Sequence, residues 1–197
     1  MMTTIQGWAL GLALAGAAIS VAVYAKDSSK TFFKNKTERI LAVRGARMII
    51  LLTQYGVAAL IVASLTLDAP WLLVLFHSPL SICAGLMIGT LGIGLFLAAK
   101  MSLGVNYTPC FNAYVPHGIT TSGIYARIRH PIYSANLLLV IAGFLISGST
   151  LVLPILALLV RLYIKSAQQE EAALSAKFPE YSGYMQTSGR FLPRLKI

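Results

Sequence analysis

The sequence has few charged residues. They make up 11% of its 197 positions, and only six of them are aspartate or glutamate. A soluble domain carries about 25% charged residues. Hydrophobic residues supply 57% of the chain, which argues against an ordinary soluble enzyme and indicates a membrane protein. At this length, several spans and one modest cytosolic element use the whole chain, so we expect a single membrane domain over residues 1–197.

The sequence also lacks the motifs of common cofactor and metal sites. It has no glycine-rich dinucleotide fingerprint and no phosphate loop, which excludes a Rossmann-type fold. Its two cysteines, Cys83 and Cys110, have no metal-ligand spacing. The spacing of His117 and His130 fits no common zinc pattern, and the nearby carboxylates are too few for a hard-metal cage. We therefore expect no metal site.

The positive charge is confined to certain connections. The net charge of +10 resides in basic residues at 26–47, at 100–129 and beyond residue 160, whereas 68–78 and 147–150 contain none. Such segregation is typical of the cytosolic side of a membrane protein. It argues against nucleic acid as a partner and for membrane lipids.

Five hydrophobic runs are long enough, or nearly so, to cross a bilayer. They cover residues 5–25, 48–67, 79–99, 131–146 and 151–164. The basic cluster follows the first run, the reverse of a secretory signal, so we interpret that run as a retained span with its N-terminus outside. This topology places every lysine and arginine on the cytosolic side. The sequence thus predicts an all-α polytopic membrane protein with about five transmembrane helices and a C-terminal cytosolic helix and tail.

Smaller features refine this prediction. Gly85, Gly89, Gly92 and Gly94 have a spacing that suits either close helix packing or ligand approach. Residues 168–178 read as a helix that continues beyond the membrane. Residues 190–194 are predicted to form an extended basic tail on the anionic leaflet. Residues 1–100 then hold the N-terminal spans, and residues 101–197 hold the catalytic half.

Ionisable side chains are concentrated between His117 and Tyr133, which include two histidines, two tyrosines and two arginines. Such groups are costly beside a bilayer, and their concentration indicates a functional site. Glu170 and Glu171 follow the last span on the same side. A carboxylate pair there either binds a cation or an amine, or faces solvent. The tyrosines either belong to the interfacial aromatic belt or line a purine and sulfonium pocket.

The block His117…Thr121-Ser122-Gly123-Ile124-Tyr125…Arg129-His130-Pro131…Tyr133 resembles the signature of the isoprenylcysteine carboxyl methyltransferase family and its phospholipid methyltransferase relatives. The similarity covers about the last half of the chain and continues through residues 103–107, Glu170-Glu171, residues 178–184 and Pro193. It implies an integral membrane enzyme that binds S-adenosylmethionine at the cytosolic edge of the bilayer.

The resemblance also implies residue roles. The residues implied in cofactor binding are His117, Ile119, Gly123, Tyr125, His130, Pro131, Tyr133, Glu170 and Glu171. Those implied in catalysis are Asn106, Arg129 and Glu170. Arg129 would orient the acceptor, and Glu170 or His130 would serve as base for an amine acceptor.

One departure from the family pattern concerns the cation near the carboxylate pair. The family usually has a longer acidic run with an arginine before it. Gln168 and Gln169 replace part of that run here, which leaves Arg161 and Lys165 as the nearby cations along the chain.

These observations predict a methyltransferase that uses S-adenosylmethionine on a lipophilic or amphiphilic acceptor entering from the bilayer, with isoprenylcysteine-type carboxyl methylation foremost. Methylation of a phospholipid amine or a small thiol is an alternative. A sterol-type reductase using NADPH shares an Arg-His-Pro-x-Tyr block, but the Glu170-Glu171 pair and the short chain argue against it. A non-catalytic membrane scaffold is the remaining alternative.

Overall fold

The computed structural model describes residues 7–8, 11, 39–41, 46–67, 69–104, 113–114 and 118–194. The chain is mainly helical, as expected. The helices named here are α1 (Ala46–Thr66), α2 (Pro79–Leu103), α3 (Pro131–Ser147), α4 (Val152–Lys177) and α5 (Tyr181–Thr187). A short antiparallel ribbon, β1 (Arg39–Leu41) with β2 (Ala113–Tyr114), is a small departure from the all-α expectation. The predicted span 5–25 lies almost entirely outside the described residues.

The helices follow the hydrophobic runs closely, since α1, α2 and α3 begin and end within four residues of the predicted spans. The last predicted span and the predicted extension form one continuous helix, α4. Within the described part of the chain, α2 alone is long and apolar enough to cross a membrane, and Leu52–Thr66 and α3 are shorter apolar helices. The five-span topology stays a prediction.

Glycines allow α2 and α3 to pack closely. A Cβ atom on Gly85 would stand 2.6 Å from Ile146 Cγ1, and one on Gly92 would stand 3.2 Å from the Ala135 carbonyl oxygen. Small residues therefore bring the two backbones together, as at helix interfaces in membranes. Packing explains these two glycines, whereas Gly94 faces open space.

Three short sequence signals set the ends of these helices. Ser78 caps α2, where its hydroxyl accepts a hydrogen bond from the Ser81 amide at 3.1 Å. Pro131 occupies the first turn of α3, where its missing N–H costs nothing. Helix α3 ends at Gly148, whose φ of +64° is strained for any residue with a side chain.

The core joins α1, α3 and α4, and it contains Val57, Ile61, Val140, Leu159 and Tyr163. This packing places the first turn of α3 beside α4, with the Tyr133 and Tyr163 rings stacked at 4.6 Å. The extension of α4 therefore runs past the residues that precede α3.

Candidate functional site

The two motif blocks meet at the start of α3. His130 lies directly before that helix, and Glu170 and Glu171 lie on the extension of α4. His130 Nε2 is 3.3 Å from Glu171 Oε1, and His130 Nδ1 is 3.4 Å from Glu170 Oε2. The two blocks lie about 40 positions apart in the sequence, and folding brings them into contact. We call His130, Arg129, Tyr133, Glu170 and Glu171 the charged cluster.

Glu171 is the most enclosed carboxylate of the charged cluster, with 6% of its side chain exposed. It accepts hydrogen bonds from Arg129 Nε at 3.0 Å and from Arg190 Nη2 at 2.6 Å. Burial by itself raises the pKa of this carboxyl group. The hydrogen bonds from His130, Arg190 and Arg129 outweigh burial and lower the pKa of Glu171 to about 2. Glu171 is therefore ionised throughout the physiological range.

Arg129 connects this carboxylate to the segment that follows it. Besides Glu171, its guanidinium donates to the Met185 carbonyl at 3.0 Å and to the Ser188 carbonyl. All these partners lie inside the protein, and 9% of the Arg129 side chain is exposed. The acceptor-orienting role implied for Arg129 stays a prediction. Its hydrogen bonds give it a structural role as well, since they join Glu171 to Met185 and Ser188.

Glu170 has a different environment from its neighbour. It accepts a hydrogen bond from Tyr133 Oη at 2.5 Å and lies beside His130. With 20% of its side chain exposed, Glu170 retains access to solvent. Because both ring nitrogens of His130 face carboxylates, the doubly protonated imidazolium is favoured. Burial lowers the pKa of His130, but the hydrogen bonds to Glu170 and Glu171 prevail and raise it above its ordinary value.

A column of rings supports the charged cluster. The rings of His130 and Tyr133 are stacked with centroids 5.5 Å apart, and Tyr163 continues the stack. Asn136 Nδ2 donates to Tyr163 Oη at 3.2 Å inside the helical core. Sequence reasoning missed Asn136 and Tyr163. The signal that would have identified them is an amide and a phenol among apolar residues.

The segment Ser188–Arg194, which we call the strap, lies across the start of α3. The Arg129 amide donates to the Gly189 carbonyl at 2.8 Å, and the His130 amide donates to the Arg190 carbonyl at 3.0 Å. Ser134 Oγ donates to the Phe191 carbonyl at 2.6 Å. The predicted extended tail on the leaflet is therefore wrong for Arg190 and Phe191, because backbone pairing, the Ser134 hydrogen bond and the Arg190–Glu171 ion pair hold them against the protein.

The cation that serves the carboxylate pair comes from elsewhere in the chain. Arg129 and Arg190 bind Glu171, whereas Arg161 lines an open apolar groove with Leu153 and Ile164. Ten helical residues separate Arg161 from Glu171, a rise of about 15 Å. Arg190 was missed by sequence reasoning because it lies 19 positions after its partner, beyond any helical spacing.

The remaining predicted residues are spread more widely. His117 and Asn106 lie outside the described residues, and Ile119 is half-buried. Gly123 has φ +61°, and a Cβ there would stand 2.5 Å from Ser102 Oγ at the end of α2. This glycine therefore lets the connection pass close to α2.

Tyr125 is separated from the ring column by its packing. It is buried with Ala99 and Ile132 in a second apolar cluster, and its carbonyl accepts from Tyr184 Oη at 2.5 Å. Pro131 is buried in the first turn of α3. The cofactor-binding roles implied for Tyr125 and Pro131 stay predictions.

The Phospholipid methyltransferase family model matches residues 80–180, just over half of the 197-residue chain. The chain belongs to this methyltransferase family, which is grouped with the isoprenylcysteine carboxyl methyltransferases. The matched region contains the whole charged cluster, and the resemblance found in the sequence is confirmed.

Two curated relatives match part of the chain. The cobalt-zinc-cadmium resistance protein CzcN of Cupriavidus metallidurans is 30% identical over 113 residues, which cover 57% of this chain and 50% of the relative. The nickel-cobalt-cadmium resistance protein NccN of Alcaligenes xylosoxydans xylosoxydans is 32% identical over 80 residues, which cover 40% and 38%. The chain thus spans half or less of these relatives. Among the described residues, no group of three or more His, Cys, Asp or Glu has metal-binding geometry.

Proposed function

We propose that the chain is a multi-pass membrane methyltransferase that uses S-adenosylmethionine and carries its site on the cytosolic side. The observation that supports this most strongly is the charged cluster. It joins the Arg129-His130 block to the Glu170-Glu171 pair within the region matched by a methyltransferase family.

The side chains of the cluster fit the chemical groups of this cofactor. Glu170 offers a partly exposed carboxylate for an ammonium group or ribose hydroxyls. Arg129 of the cluster and Arg190 are already bound to Glu171, so an added cation meets a carboxylate rather than a free guanidinium. We infer that Glu170, Tyr133 and His130 hold the cofactor, with His117 and Ile119 contributing from the preceding connection.

When bound, S-adenosylmethionine supplies an electrophilic methyl group for in-line displacement. The protein's contribution is then mainly positioning and the exclusion of water. His130 holds its proton more tightly than a free imidazole, because hydrogen bonds to two carboxylates raise its pKa. Glu170 is therefore the group best placed to take a proton from an amine acceptor.

The proposed acceptor is a lipophilic molecule that enters from the bilayer. Large apolar side chains are exposed along α2, with Leu80 80% and Met101 81% exposed, and such a surface suits contact with lipid. An isoprenylcysteine carboxylate is the first candidate. A phospholipid amine is the second, and it is favoured by the accessible carboxylate of Glu170 and by the commitment of both arginines to Glu171.

The test is a transfer assay with S-adenosylmethionine labelled in its methyl group, using the full chain in lipid nanodiscs. Prenylcysteine, phosphatidylethanolamine and a small thiol are supplied in parallel. We expect label in one lipophilic acceptor and a large loss of transfer in Glu170→Gln. Absence of label from all three acceptors, together with NADPH-dependent reduction of a sterol, would replace this proposal with the reductase alternative.

A further inference from the structure

The two adjacent glutamates have unequal partners. Both oxygens of Glu171 are used by guanidinium groups. Oε1 accepts from Arg129 at 3.0 Å and Arg190 at 3.1 Å, and Oε2 accepts from Arg190 at 2.6 Å. Glu170 is paired with Tyr133 and His130, and it is about three times as exposed. Because guanidinium groups use both of its oxygens, Glu171 has little capacity for a further ligand.

Arg190 is the only residue in the described strap whose side chain reaches the charged cluster through an ion pair. Its planar fork holds both oxygens of Glu171, a geometry that fixes orientation as well as distance. The neighbouring residue, Phe191, packs with its ring centroid 6.1 Å from that of His130 and 6.5 Å from that of Tyr133. The Arg190 ion pair and the hydrogen bond from Ser134 to the Phe191 carbonyl therefore both hold the strap where Phe191 contacts the ring column.

We propose that Arg190 is a positioning residue: it latches the strap to Glu171 and so holds His130 and Glu170 in the arrangement to which the methyl donor binds. Glu171 then belongs to the latch, and Glu170 is the carboxylate that meets the ligand. This inference rests on the proposed function and divides a pair that the sequence treats as one unit.

The latch follows from the way the strap is attached. Its main-chain bonds run to Arg129 and His130, the residues that lead into α3. When the Arg190 guanidinium is removed, Glu171 remains bound to Arg129 and His130. The contact between α4 and the residues that precede α3 is therefore kept. The strap then keeps its main-chain bonds to Arg129 and His130 but loses its ion pair, so Phe191 packs less firmly against His130.

The experiment measures binding of S-adenosylhomocysteine by calorimetry, together with amide exchange of residues 127–134, in the detergent-purified full chain. We expect Arg190→Ala to raise the dissociation constant roughly tenfold, because Glu171 loses the charge-assisted hydrogen bonds that hold the strap. Exchange at Arg129 and His130 should become faster. Arg190→Lys, which keeps the charge but loses the fork, should recover part of the affinity.

Arg194→Ala is the matched control. Arg194 is exposed in the same strap, and its guanidinium donates to the Gln186 carbonyl rather than to Glu171. Affinity and exchange should both match those of the wild type. A purely structural role for Arg190 predicts a lower melting temperature with unchanged affinity where the protein is folded, and that result would overturn the proposal.

Ser134→Ala provides a test that leaves the charged cluster intact. It removes the hydroxyl that donates to the Phe191 carbonyl and should weaken binding about threefold. Unchanged affinity in folded Arg190→Ala would refute the latch. If Arg190→Ala does not fold, unchanged affinity in Ser134→Ala would refute it instead. If the wild type does not bind S-adenosylhomocysteine, the proposed function fails. Unchanged amide exchange in the variants would then refute the latch separately.

Discussion

Helix α3 has a non-helical segment docked at each end, and the two docking sites differ in chemistry. At its C-terminal end, the segment 72–76 is held by uncharged groups. The Leu75 amide donates to the Gly148 carbonyl at 2.9 Å, and Ser149 Oγ donates to the Leu72 carbonyl at 2.5 Å. At its N-terminal end, the strap is held by backbone pairing together with the Arg190–Glu171 ion pair.

This difference distinguishes a structural contact at the C-terminal end of α3 from the proposed binding site at its N-terminal end. Backbone and hydroxyl bonds close the C-terminal end without any dependence on protonation, and the Phe76 and Phe144 rings pack there edge to face. The N-terminal end contains two carboxylates, two guanidiniums and an imidazole, whose contacts lower the pKa of Glu171 and raise the pKa values of His130 and Arg190. Such a concentration is costly to keep beside a membrane unless it binds something.

The largest expected effect comes from a change at the uncharged end. A Cβ on Gly148 would overlap the Phe76 carbonyl oxygen at 1.9 Å, in a backbone conformation that side chains rarely adopt. Gly148→Val should therefore destabilise the protein by about 4 kcal/mol or more. Thermal unfolding in detergent measures this. Gly183→Ala, which meets no atom within 4 Å, is the control and should be tolerated. Equal stability of the two variants would contradict the docking described here.

A change at the charged end should reduce both stability and binding. Glu171→Gln removes the charge that faces Arg129, Arg190 and His130 and should lower the free energy of unfolding by about 3 kcal/mol. Affinity for S-adenosylhomocysteine should fall as well, because the strap and His130 lose their common partner. Glu180→Gln, at an exposed carboxylate before α5, should change neither quantity. If Glu171→Gln bound S-adenosylhomocysteine with wild-type affinity, Glu171 would not contribute to the binding site.

Stability should depend on pH through the charged end, where Glu171 and His130 lie among the described residues. The pKa of Glu171 falls from 4.5 to about 2 on folding. Its contribution of about 3 kcal/mol is therefore complete above pH 4.5 and lost as the pH falls toward 2. The raised pKa of His130 contributes stability that is complete below 6.5 and lost as the pH rises through the folded-state value. These two groups together favour a maximum between pH 4.5 and 6.5.

Melting temperatures recorded from about pH 3 to about pH 9 check this dependence. His130→Gln should flatten the alkaline side of the profile, and Glu171→Gln should flatten the acid side. Unaltered slopes in both variants would show that other groups control the profile.

The smallest effects sharpen the comparison with a matched pair of serines. Ser149→Ala and Ser134→Ala each remove one buried hydroxyl donor to a carbonyl and should each cost about 1 kcal/mol of unfolding free energy. Only Ser134→Ala should weaken binding of S-adenosylhomocysteine. Equal loss of affinity in both variants would mean that the two ends do not differ in function.

Much of the helical framework could be predicted from local pattern. Hydrophobic runs, Pro79 and Pro131 at first turns and Gly148 after α3 determine where helices begin and end, and the structure agrees with them. The family resemblance implied that His130 and the glutamates bind one cofactor, but it did not predict their direct contact, since side chains 40 residues apart have no periodic relation.

The strap was predicted wrongly for a physical reason. A short basic and aromatic sequence such as Arg190-Phe191 is equally compatible with a membrane surface and with a buried carboxylate. The choice depends on whether tertiary packing exposes a partner, here Glu171. Tyr125 illustrates the same limit, since its place beside Ala99 is determined by the packing of α2 and not by its own neighbours in sequence.

Calorimetric titration of the purified full chain with S-adenosylhomocysteine, and separately with NADPH, tests the central claim most directly. The account predicts a micromolar dissociation constant for S-adenosylhomocysteine, no heat with NADPH, and at least about tenfold weaker binding in Glu170→Gln. Binding of NADPH alone would identify a reductase. Binding of neither compound would contradict the assignment of the charged cluster as a methyl-donor site.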